Sequence, residues 1–349
     1  MKGVTFMEKK INAIAILTSG GDAPGMNSAV YAAAKTACAK GLKVYGVRYS
    51  YWGLTNDIDN CLIEFNVNNI GDILNQGGSY LRSMRFKEFY KEEHLQKAIA
   101  NCRDKGIDGL VVIGGDGSFR GARDLTLRGL PCIGIPGTID NDIPSSDYTL
   151  GYDTCLNTIK TLCASLCDTI SSNDRCMVVE IMGNQCSDLT VNGGIATGAT
   201  AIVVPEIMES INNDAAGYVV EKIRKARELR EAQGTSSGDI KKFYLVLVAE
   251  KMPGVNVADI ASAVEKKLGI ESRSIVLGHL QRGGTPSSFD VIMGCRMGNK
   301  AVKLLMDGIS NRVVVRKGSD IVDYDILEAL DMKTPFDYDL LEIANELGV

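Results

Sequence analysis

The chain has 349 residues, of which 45% are hydrophobic and 23% charged, and its 38 basic and 43 acidic side chains give a formal charge of −5. This composition is typical of a globular protein, and the acidic balance argues against nucleic-acid binding, which needs a basic surface. No apolar run approaches the roughly 20 residues that cross a bilayer. The apolar stretch after Lys9-Lys10 is short, and a buried strand explains it better than a signal peptide. We therefore expect a cytoplasmic protein with no nucleic-acid or membrane partner.

The ten cysteines indicate reduced thiols rather than disulfides or zinc ligands. The chain is long enough to bury a core without cross-links, and it contains no Cys-x-x-Cys pair of the kind that binds zinc. Cys163 and Cys167 are spaced to share one face of a helix. Because His94 and His279 are the only histidines, a site built on several imidazoles is excluded.

Short apolar runs alternate with helical patterns along the chain. The runs that predict buried strands are, in chain order, Ile11–Leu17, Lys43–Arg48, Leu110–Ile113, Cys132–Ile135, Met177–Ile181, Ala201–Val204, Phe243–Ala249 and Ser274–Leu277. This alternation predicts an α/β fold with mostly parallel sheets. Ligands of such folds bind beyond the carboxyl ends of the strands.

Two segments predict amphipathic helices with a defined buried face. The first lies between Pro24 and Gly41, and the second carries the charged stretch Glu221–Glu231 on its solvent side. The predicted buried faces are Met26, Val30, Ala33 and Ala37 in the first helix and Val219, Ile223, Ala226 and Leu229 in the second. Gly234–Gly238 then predicts a surface loop.

One pattern occurs twice and predicts a phosphate site. Ile14–Leu17 runs into Thr18–Asp22, and Leu110–Ile113 runs into Gly114–Ser118, so each apolar strand ends in paired glycines and an aspartate. Glycines at a strand end let backbone N–H groups approach an anion, and the following helix adds its positive end. A tight strand–helix turn also needs glycine, but two copies in one chain favour a phosphate ligand.

Two further segments carry chemistry. Pro136–Asp142 places two carboxylates beyond another apolar strand, where one can hold a metal and the other can take a proton from a hydroxyl; an Asx-rich turn is the alternative. Arg273–Gly284 brings two arginines and a histidine together among glycines, as a phosphomonoester site requires. Glu250 follows a predicted strand and could accept hydrogen bonds from sugar hydroxyls.

Together these segments closely resemble the bacterial-type ATP-dependent 6-phosphofructokinases. The likeness covers nearly the whole chain in the order of the family, and it is carried by Leu17–Asn27, Gly114–Ser118, Pro136–Asp142 and Gly278–Gly284. The resemblance implies magnesium-dependent transfer of a phosphoryl group from ATP to the 1-hydroxyl of fructose 6-phosphate, a step of glycolysis.

By position, the resemblance also implies the residues of the site. The nucleotide would contact Gly20, Arg85, Phe86, Gly115, Asp116, Gly117 and Ser118, with Asp116 holding Mg²⁺ and Asp142 in the metal environment. Catalysis would fall to Asp140 as general base, Thr138 as positioning group and Arg85 as a cation on the moving phosphoryl group. The sugar phosphate would contact Thr138, Asp140, Asp142, Arg175, Met182, Gly183, Asn184, Glu250, Arg273, His279 and Arg282.

The resemblance further implies two Rossmann-like lobes with the active site in the cleft between them. Residues 1–150 and 279–330 would form the nucleotide-binding lobe, and residues 151–278 and 331–349 the sugar-phosphate-binding lobe. Arg175 and Arg273 would reach the site from a neighbouring subunit. We therefore expect a homotetramer.

The phosphoryl donor is the first point on which family members differ. The pyrophosphate-using branch carries Asp at the position of Gly117 and Lys at the position of Gly137. A carboxylate at 117 would repel the α-phosphate of a nucleotide, so glycine favours ATP, with pyrophosphate as the alternative. A lipid or dinucleotide kinase also uses Gly-Gly-Asp-Gly, but it would not explain Arg273–Gly284.

The second point is a missing cation. The Met-Gly-Arg triplet of the family is Met182-Gly183-Asn184 here, and a usual glycine is Ser187. Three hypotheses follow: another cation compensates, the chain is a diverged and weakly active paralogue, or it is a silent subunit that regulates an active partner. The intact Asp116, Asp140 and Asp142 argue against the silent subunit.

The third point is the effector pocket of the family. In well-regulated relatives, four positions of this pocket carry arginine and a fifth is acidic. Here the four are Tyr31, Lys35, Val67 and Cys167, and the fifth is Thr200. Only the basic pair Lys241-Lys242 is retained. These departures argue against regulation by a bound nucleoside diphosphate.

Overall fold

The computed structural model describes residues 10–232 and 243–348. The predicted loop Gly234–Gly238 and the basic pair Lys241-Lys242 lie outside these ranges. The described chain divides into two compact units. The first takes the residues up to Thr154 together with Arg282–Thr334, and the second takes Cys155–Gln281 and the residues from Pro335 onward.

The strands and helices alternate over most of the described chain. The strands are β1 (Ala13–Thr18), β2 (Lys43–Val47), β3 (Leu62–Phe65), β4 (Gly109–Gly114), β5 (Cys132–Pro136), β6 (Cys176–Ile181), β7 (Ala201–Val203), β8 (Tyr244–Ala249), β9 (Ser272–Val276), β10 (Arg312–Lys317) and β11 (Asp320–Asp325). The helices are α1 (Met26–Ala39), α2 (Ser50–Asn56), α3 (Ile58–Cys61), α4 (Glu92–Asp104), α5 (Asp116–Thr126), α6 (Tyr152–Ser171), α7 (Asp188–Thr197), α8 (Ala215–Ala232), α9 (Val257–Leu268), α10 (Ser288–Met306), α11 (Ile326–Asp331) and α12 (Tyr338–Leu347).

The first unit is built on a sheet with the strand order β11-β10-β5-β4-β1-β2-β3. Its strands are parallel except at the two edges, where β3 and β11 run antiparallel to their neighbours. Every residue of β1, β4 and β5 is buried, as expected for central strands covered on both faces. The carboxyl ends of these three adjacent strands therefore lie at one edge of the sheet.

The second unit is built on a parallel sheet with the order β7-β8-β6-β9. Its strand β8 is fully buried, whereas β9 lies at the sheet edge with four of its five residues exposed. The apolar side chains Ile275 and Val276 are among them. The described chain thus leaves an apolar sheet edge uncovered.

The predicted α/β fold is confirmed, and all eight predicted strands form. The predicted burial of Ser274–Leu277 is wrong, because this run lies mostly in β9, an exposed strand at the sheet edge. The sequence pattern missed β3, β10 and β11, because it identifies long, fully buried runs. β3 and β11 are half-exposed edge strands, and β10 has only Val313–Val315 as a buried stretch.

The two predicted helical faces fare differently. The face of α1 is confirmed, since all four of its predicted residues are fully buried. In α8, Val219, Ile223 and Ala226 are buried but Leu229 is 45% exposed, so its predicted burial is wrong. At 3.6 residues per turn, Leu229 points about 80° away from Val219, which moves it off the buried face.

All ten cysteines are reduced thiols, as the sequence predicts. Cys163 and Cys167 lie one turn apart on α6 as predicted, and burial raises the pKa of the Cys163 thiol to about 12. Within the described ranges, no helix has the length and apolar character needed to span a bilayer.

Candidate active site

Two glycine loops lie side by side at the carboxyl edge of the first sheet. β1 and β4 are adjacent and parallel, with Thr18 opposite Ile113, so the loops that follow them leave the sheet together. The Ser19 amide donates to the Ile113 carbonyl over 2.8 Å. A Cβ on Gly114 would lie 2.5 Å from the Ser19 carbonyl oxygen, so this close approach requires glycine. The fold therefore brings the two predicted phosphate loops into direct contact.

The second loop continues directly into α5, which begins at Asp116 after Gly115. No side chain of the described residues caps this helix start, so its positive end is available to an anion. The Tyr90 hydroxyl donates to the Gly117 carbonyl over 2.9 Å and fixes the first turn. The predicted nucleotide residues of these two loops and this turn are Gly20, Gly115, Asp116, Gly117 and Ser118.

Asp116 carries the carboxylate that the family resemblance assigns to a metal. Its side chain is 47% exposed, and its Oδ2 accepts from Arg120, with Nε at 3.0 Å and Nη2 at 2.9 Å. No group of three or more metal-ligating side chains occurs among the described residues. Mg²⁺ usually binds one or two carboxylates together with substrate phosphates. A single carboxylate beside a phosphate cradle therefore fits magnesium that arrives with a nucleotide.

The third loop follows β5 and separates two aspartates by burial. Asp140 is 8% exposed, and its backbone amide donates to the Thr138 hydroxyl over 3.1 Å. The Thr149 hydroxyl in turn donates to the Thr138 carbonyl over 2.6 Å, which holds this turn. Asp142, in contrast, is exposed. The loop can therefore present one buried and one solvated carboxylate at the same strand end.

Arg85 and Phe86 follow a segment that is tied to the end of β1. The Thr18 hydroxyl donates to the Arg82 carbonyl over 3.2 Å, and the Phe86 ring packs edge-on against His94 at a centroid distance of 4.9 Å. The side chain of Arg85 is exposed. A mobile anionic group can therefore reach this guanidinium.

Arg282 also lies at this edge of the first unit. Its Nη1 donates to the Asp22 carbonyl over 3.1 Å, and it occupies the space beside Gly21, where a Cβ would lie 2.7 Å from the same nitrogen. The sequence assigned Arg282 to the sugar phosphate. The structure adds that its guanidinium packs against the first phosphate loop.

A second group of predicted residues lies at the carboxyl edge of the second sheet. Oε1 of Glu250 accepts from the amides of Gly183, at 3.2 Å, and Asn184, at 2.8 Å. The Met182 amide donates to Oε1 of Gln281 over 2.8 Å. Glu250 was predicted to accept sugar hydroxyls, and here one of its oxygens holds the turn that follows β6. His279 is exposed in the next segment.

Sequence reasoning missed Gln281. This side chain is fully buried, and besides holding Met182 its Nε2 donates to Sγ of Cys155 over 3.5 Å. Within Arg273–Gly284 the glutamine carries no charge, whereas the anion-site pattern is defined by its charged neighbours. The sequence carries no signal for this residue, because its partners Met182 and Cys155 are distant in the chain.

Arg175 and Arg273 lie at the opposite, amino edge of the second sheet. Arg175 immediately precedes β6, whereas Met182 immediately follows it, so at about 3.3 Å per residue they are separated by about 20 Å. Glu271 joins the two arginines, with Oε2 2.7 Å from Nε of Arg175 and Oε1 2.6 Å from Nη2 of Arg273. Within one chain, the fold therefore does not bring these arginines to Met182 and Glu250.

Three positions of the family's effector pocket contact one another in the first unit. The Lys35 ammonium donates to the Val67 carbonyl over 2.7 Å and lies 5.6 Å from the centre of the Tyr31 ring. This lysine is therefore engaged by its own chain. The other two positions, Cys167 and Thr200, lie in the second unit.

Comparison with known proteins agrees with the arrangement of these loops. Residues 13–305 match the family model described as Phosphofructokinase. The ATP-dependent 6-phosphofructokinases of Clostridium acetobutylicum and of Clostridium botulinum (strain Loch Maree) are each 44% identical over 335 residues, covering 96% of this chain and 99% of the relative.

Solved structures extend the comparison. The phosphofructokinase of Saccharomyces cerevisiae superposes with a TM-score of 0.82 at 28% identity, over 97% of this chain, which spans about half (48%) of that longer one. A pyrophosphate-dependent phosphofructokinase from Marinobacter aquaeolei shares the fold, with a TM-score of 0.78 at 21% identity over 97% of this chain and 91% of the other. The resemblance found in the sequence is confirmed: the chain belongs to the phosphofructokinase family.

Proposed function

We propose that this chain is an ATP-dependent 6-phosphofructokinase, which transfers the γ-phosphoryl group of ATP to the 1-hydroxyl of fructose 6-phosphate. The observation that carries the proposal is the meeting of three loops at adjacent strand ends, two rich in glycine and one acidic. The glycine loops offer backbone amides to phosphates, and the acidic loop offers a base. The names of the Clostridium relatives support the same reaction.

The proposed chemistry gives Asp140 and Asp116 different roles. Asp140 is buried at a strand end and takes the proton of the sugar hydroxyl as the new P–O bond forms. Thr138 positions it through the turn that its hydroxyl holds. Asp116, at the start of α5, would hold Mg²⁺ together with the phosphates of the nucleotide, and the ion would neutralise charge on them. The exposed Arg85 approaches the moving phosphoryl group from the β1 side.

Gly117 supports ATP over pyrophosphate as donor. Since the pyrophosphate-dependent structure shares the fold, the fold alone does not decide between the donors. At Gly117, a Cβ would meet only the Tyr90 hydroxyl within 4 Å, at 3.5 Å. The glycine is therefore not required by packing there. The space that it leaves at the start of the helix is what an α-phosphate needs.

Two observations support an oligomer in which neighbours complete the site. Arg175 and Arg273 lie about 20 Å along the sheet from Met182 and Glu250, so they would serve a different sugar-phosphate site from these two. The edge strand β9, which carries Arg273, exposes the apolar side chains Ile275 and Val276, and Leu280 follows it at 60% exposure. An uncovered sheet edge with apolar side chains is a surface that a second copy can cover. A homotetramer is the assembly that we propose.

A coupled assay of the purified chain tests the proposal. Formation of ADP, or of phosphate from pyrophosphate, is followed with fructose 6-phosphate, fructose 1-phosphate and glucose 6-phosphate as acceptors, with and without Mg²⁺. We expect turnover with ATP, fructose 6-phosphate and Mg²⁺ together. Asp140→Asn protein, purified in parallel, controls for contaminating kinase. Faster turnover with pyrophosphate than with ATP would overturn the donor assignment.

A further inference from the structure

The turn that lacks the arginine of the family triplet holds a different cation. Nζ of Lys251 donates to Oδ1 of Asn184 over 2.9 Å. The two residues are brought together by Glu250, whose Oε1 accepts from the Asn184 amide at 2.8 Å and lies 3.9 Å from Nζ of Lys251. All three belong to the second unit. The positive charge of Lys251 therefore lies within hydrogen-bonding distance of the Asn184 side chain.

The backbone at both positions is unusual and favours this pairing. Asn184 has a φ of 59° and Lys251 a φ of 58°, both in the left-handed region that asparagine tolerates better than most residues. Such conformations persist where the surroundings hold them, and they concentrate at functional sites. Here the Glu250 carboxylate holds the turn. The Asn184 side chain on this turn accepts from the Lys251 ammonium.

We propose that Lys251 binds a phosphoryl oxygen of the substrates in place of the missing triplet arginine, and that Asn184 is a positioning residue that orients the ammonium. This inference rests on the proposed function. The Lys251 side chain is 57% exposed and its contact with Glu250 is long, so the ammonium retains donors for an anionic ligand. An arginine at 184 would place a second cation against the first, which explains why the chain has an amide where it has this lysine.

Lys251→Met removes the charge and keeps most of the side-chain length. We expect kcat/KM for fructose 6-phosphate to fall about tenfold to a hundredfold, the cost of losing one charge-assisted hydrogen bond. Lys251→Arg should restore part of the loss. Lys267→Met, in which an exposed lysine of the same unit is removed, is the matched control and should behave like the wild type.

The second variant set tests the partnership with Asn184. Asn184→Arg alone should give no gain, because it adds a cation beside Lys251. In the Lys251→Met background the same change should raise kcat/KM, because a cation returns to the vacated place. Asn184→Ala should lower kcat/KM less than Lys251→Met, and the two losses should not add. Asn184→Arg equally beneficial in both backgrounds would overturn the partnership.

Calorimetry separates this inference from the proposed function. Two ligands, ADP with Mg²⁺ and fructose 1,6-bisphosphate alone, are titrated in separate experiments into the wild type and into Lys251→Met. Because each experiment contains only one of the two reaction products, no turnover occurs. Weaker binding of either ligand by the variant supports the inference, and equal binding with kcat/KM within twofold of wild type overturns it. A wild type that neither turns over fructose 6-phosphate nor binds these ligands refutes the proposed function, and the inference with it.

Discussion

Arg120 pairs with Asp116 across one turn of α5, with Nη2 2.9 Å from Oδ2. The carboxylate that we assign to magnesium is therefore already partnered by a cation of its own helix. Both side chains are about half exposed, and an exposed ion pair of this spacing is worth at most about 1 kcal/mol. The pair can therefore tune the metal site without blocking it.

Removing this competitor should tighten magnesium binding. We expect Arg120→Gln to lower the Mg²⁺ concentration for half-maximal activity by up to about fivefold, the equivalent of about 1 kcal/mol. The measurement is initial rate against free Mg²⁺ at saturating ATP. Arg123→Gln, which affects a pair with Asp124 on the same helix, is the control. If both variants lowered the Mg²⁺ concentration for half-maximal activity equally, the effect would come from the charge of the helix and not from the pair with Asp116.

Gly117→Asp should impair use of ATP much more than use of pyrophosphate. The new Cβ meets only an ordinary contact with the Tyr90 hydroxyl at 3.5 Å, so the variant should fold. Its carboxylate would then repel the nucleotide phosphates. The ratio of kcat/KM values for the two donors is the readout, and Gly117→Asn separates size from charge. An unchanged ratio in Gly117→Asp would remove the structural basis for ATP as donor.

Asp140→Asn should reduce kcat by about 10²- to 10⁴-fold while KM for fructose 6-phosphate changes little, because loss of a general base affects the chemical step. Steady-state kinetics at saturating ATP give both constants. Asp142→Asn is the comparison, and since that side chain is exposed we expect a smaller loss of kcat. A greater loss at 142 would exchange the roles of the two aspartates.

Asp290 should make the first unit less stable as the pH rises from 4 to 7. Burial raises the pKa of its carboxyl from 3.8 to about 6, although Gly151 and Thr154 donate hydrogen bonds to it. The folded state therefore holds this proton when the unfolded state has released it, and the stabilisation present below about pH 4 is lost as the pH passes 6.

Asp290→Asn removes this titration. The free energy of unfolding of the variant, minus that of the wild type, should rise between pH 4 and 7 by up to about 3 kcal/mol, whatever its sign at either end. Denaturant melts across this range measure it. Parallel curves for the two proteins would show that Asp290 does not titrate in the folded state.

The glycine loops could be predicted from the sequence, because a close approach of two backbone segments requires glycine and excludes every residue with a Cβ. At Gly114 a Cβ would collide with the Ser19 carbonyl oxygen, and the pattern records that constraint. No comparable sequence pattern identifies Lys251 or Gln281 as functional. Their importance comes from partners distant in sequence, Asn184 and Met182, and only the fold brings these pairs together. Leu229 is the opposite case, a residue whose spacing predicts burial although it is exposed. Its helical position lies about 80° from that of Val219, outside the buried face.

The length of β6 has a consequence for mixtures of chains. Arg175 and the Glu250 turn lie at opposite ends of the second sheet, so a single fructose 6-phosphate would draw them from two different subunits. Two inactive proteins, Arg175→Ala and Glu250→Gln, should therefore restore each other when they are unfolded together and reassembled. If equal amounts mix at random, about one site in four receives both intact residues. Recovery near that fraction would show that the catalytic unit of this protein is the contact between chains, and that no isolated chain contains a whole one.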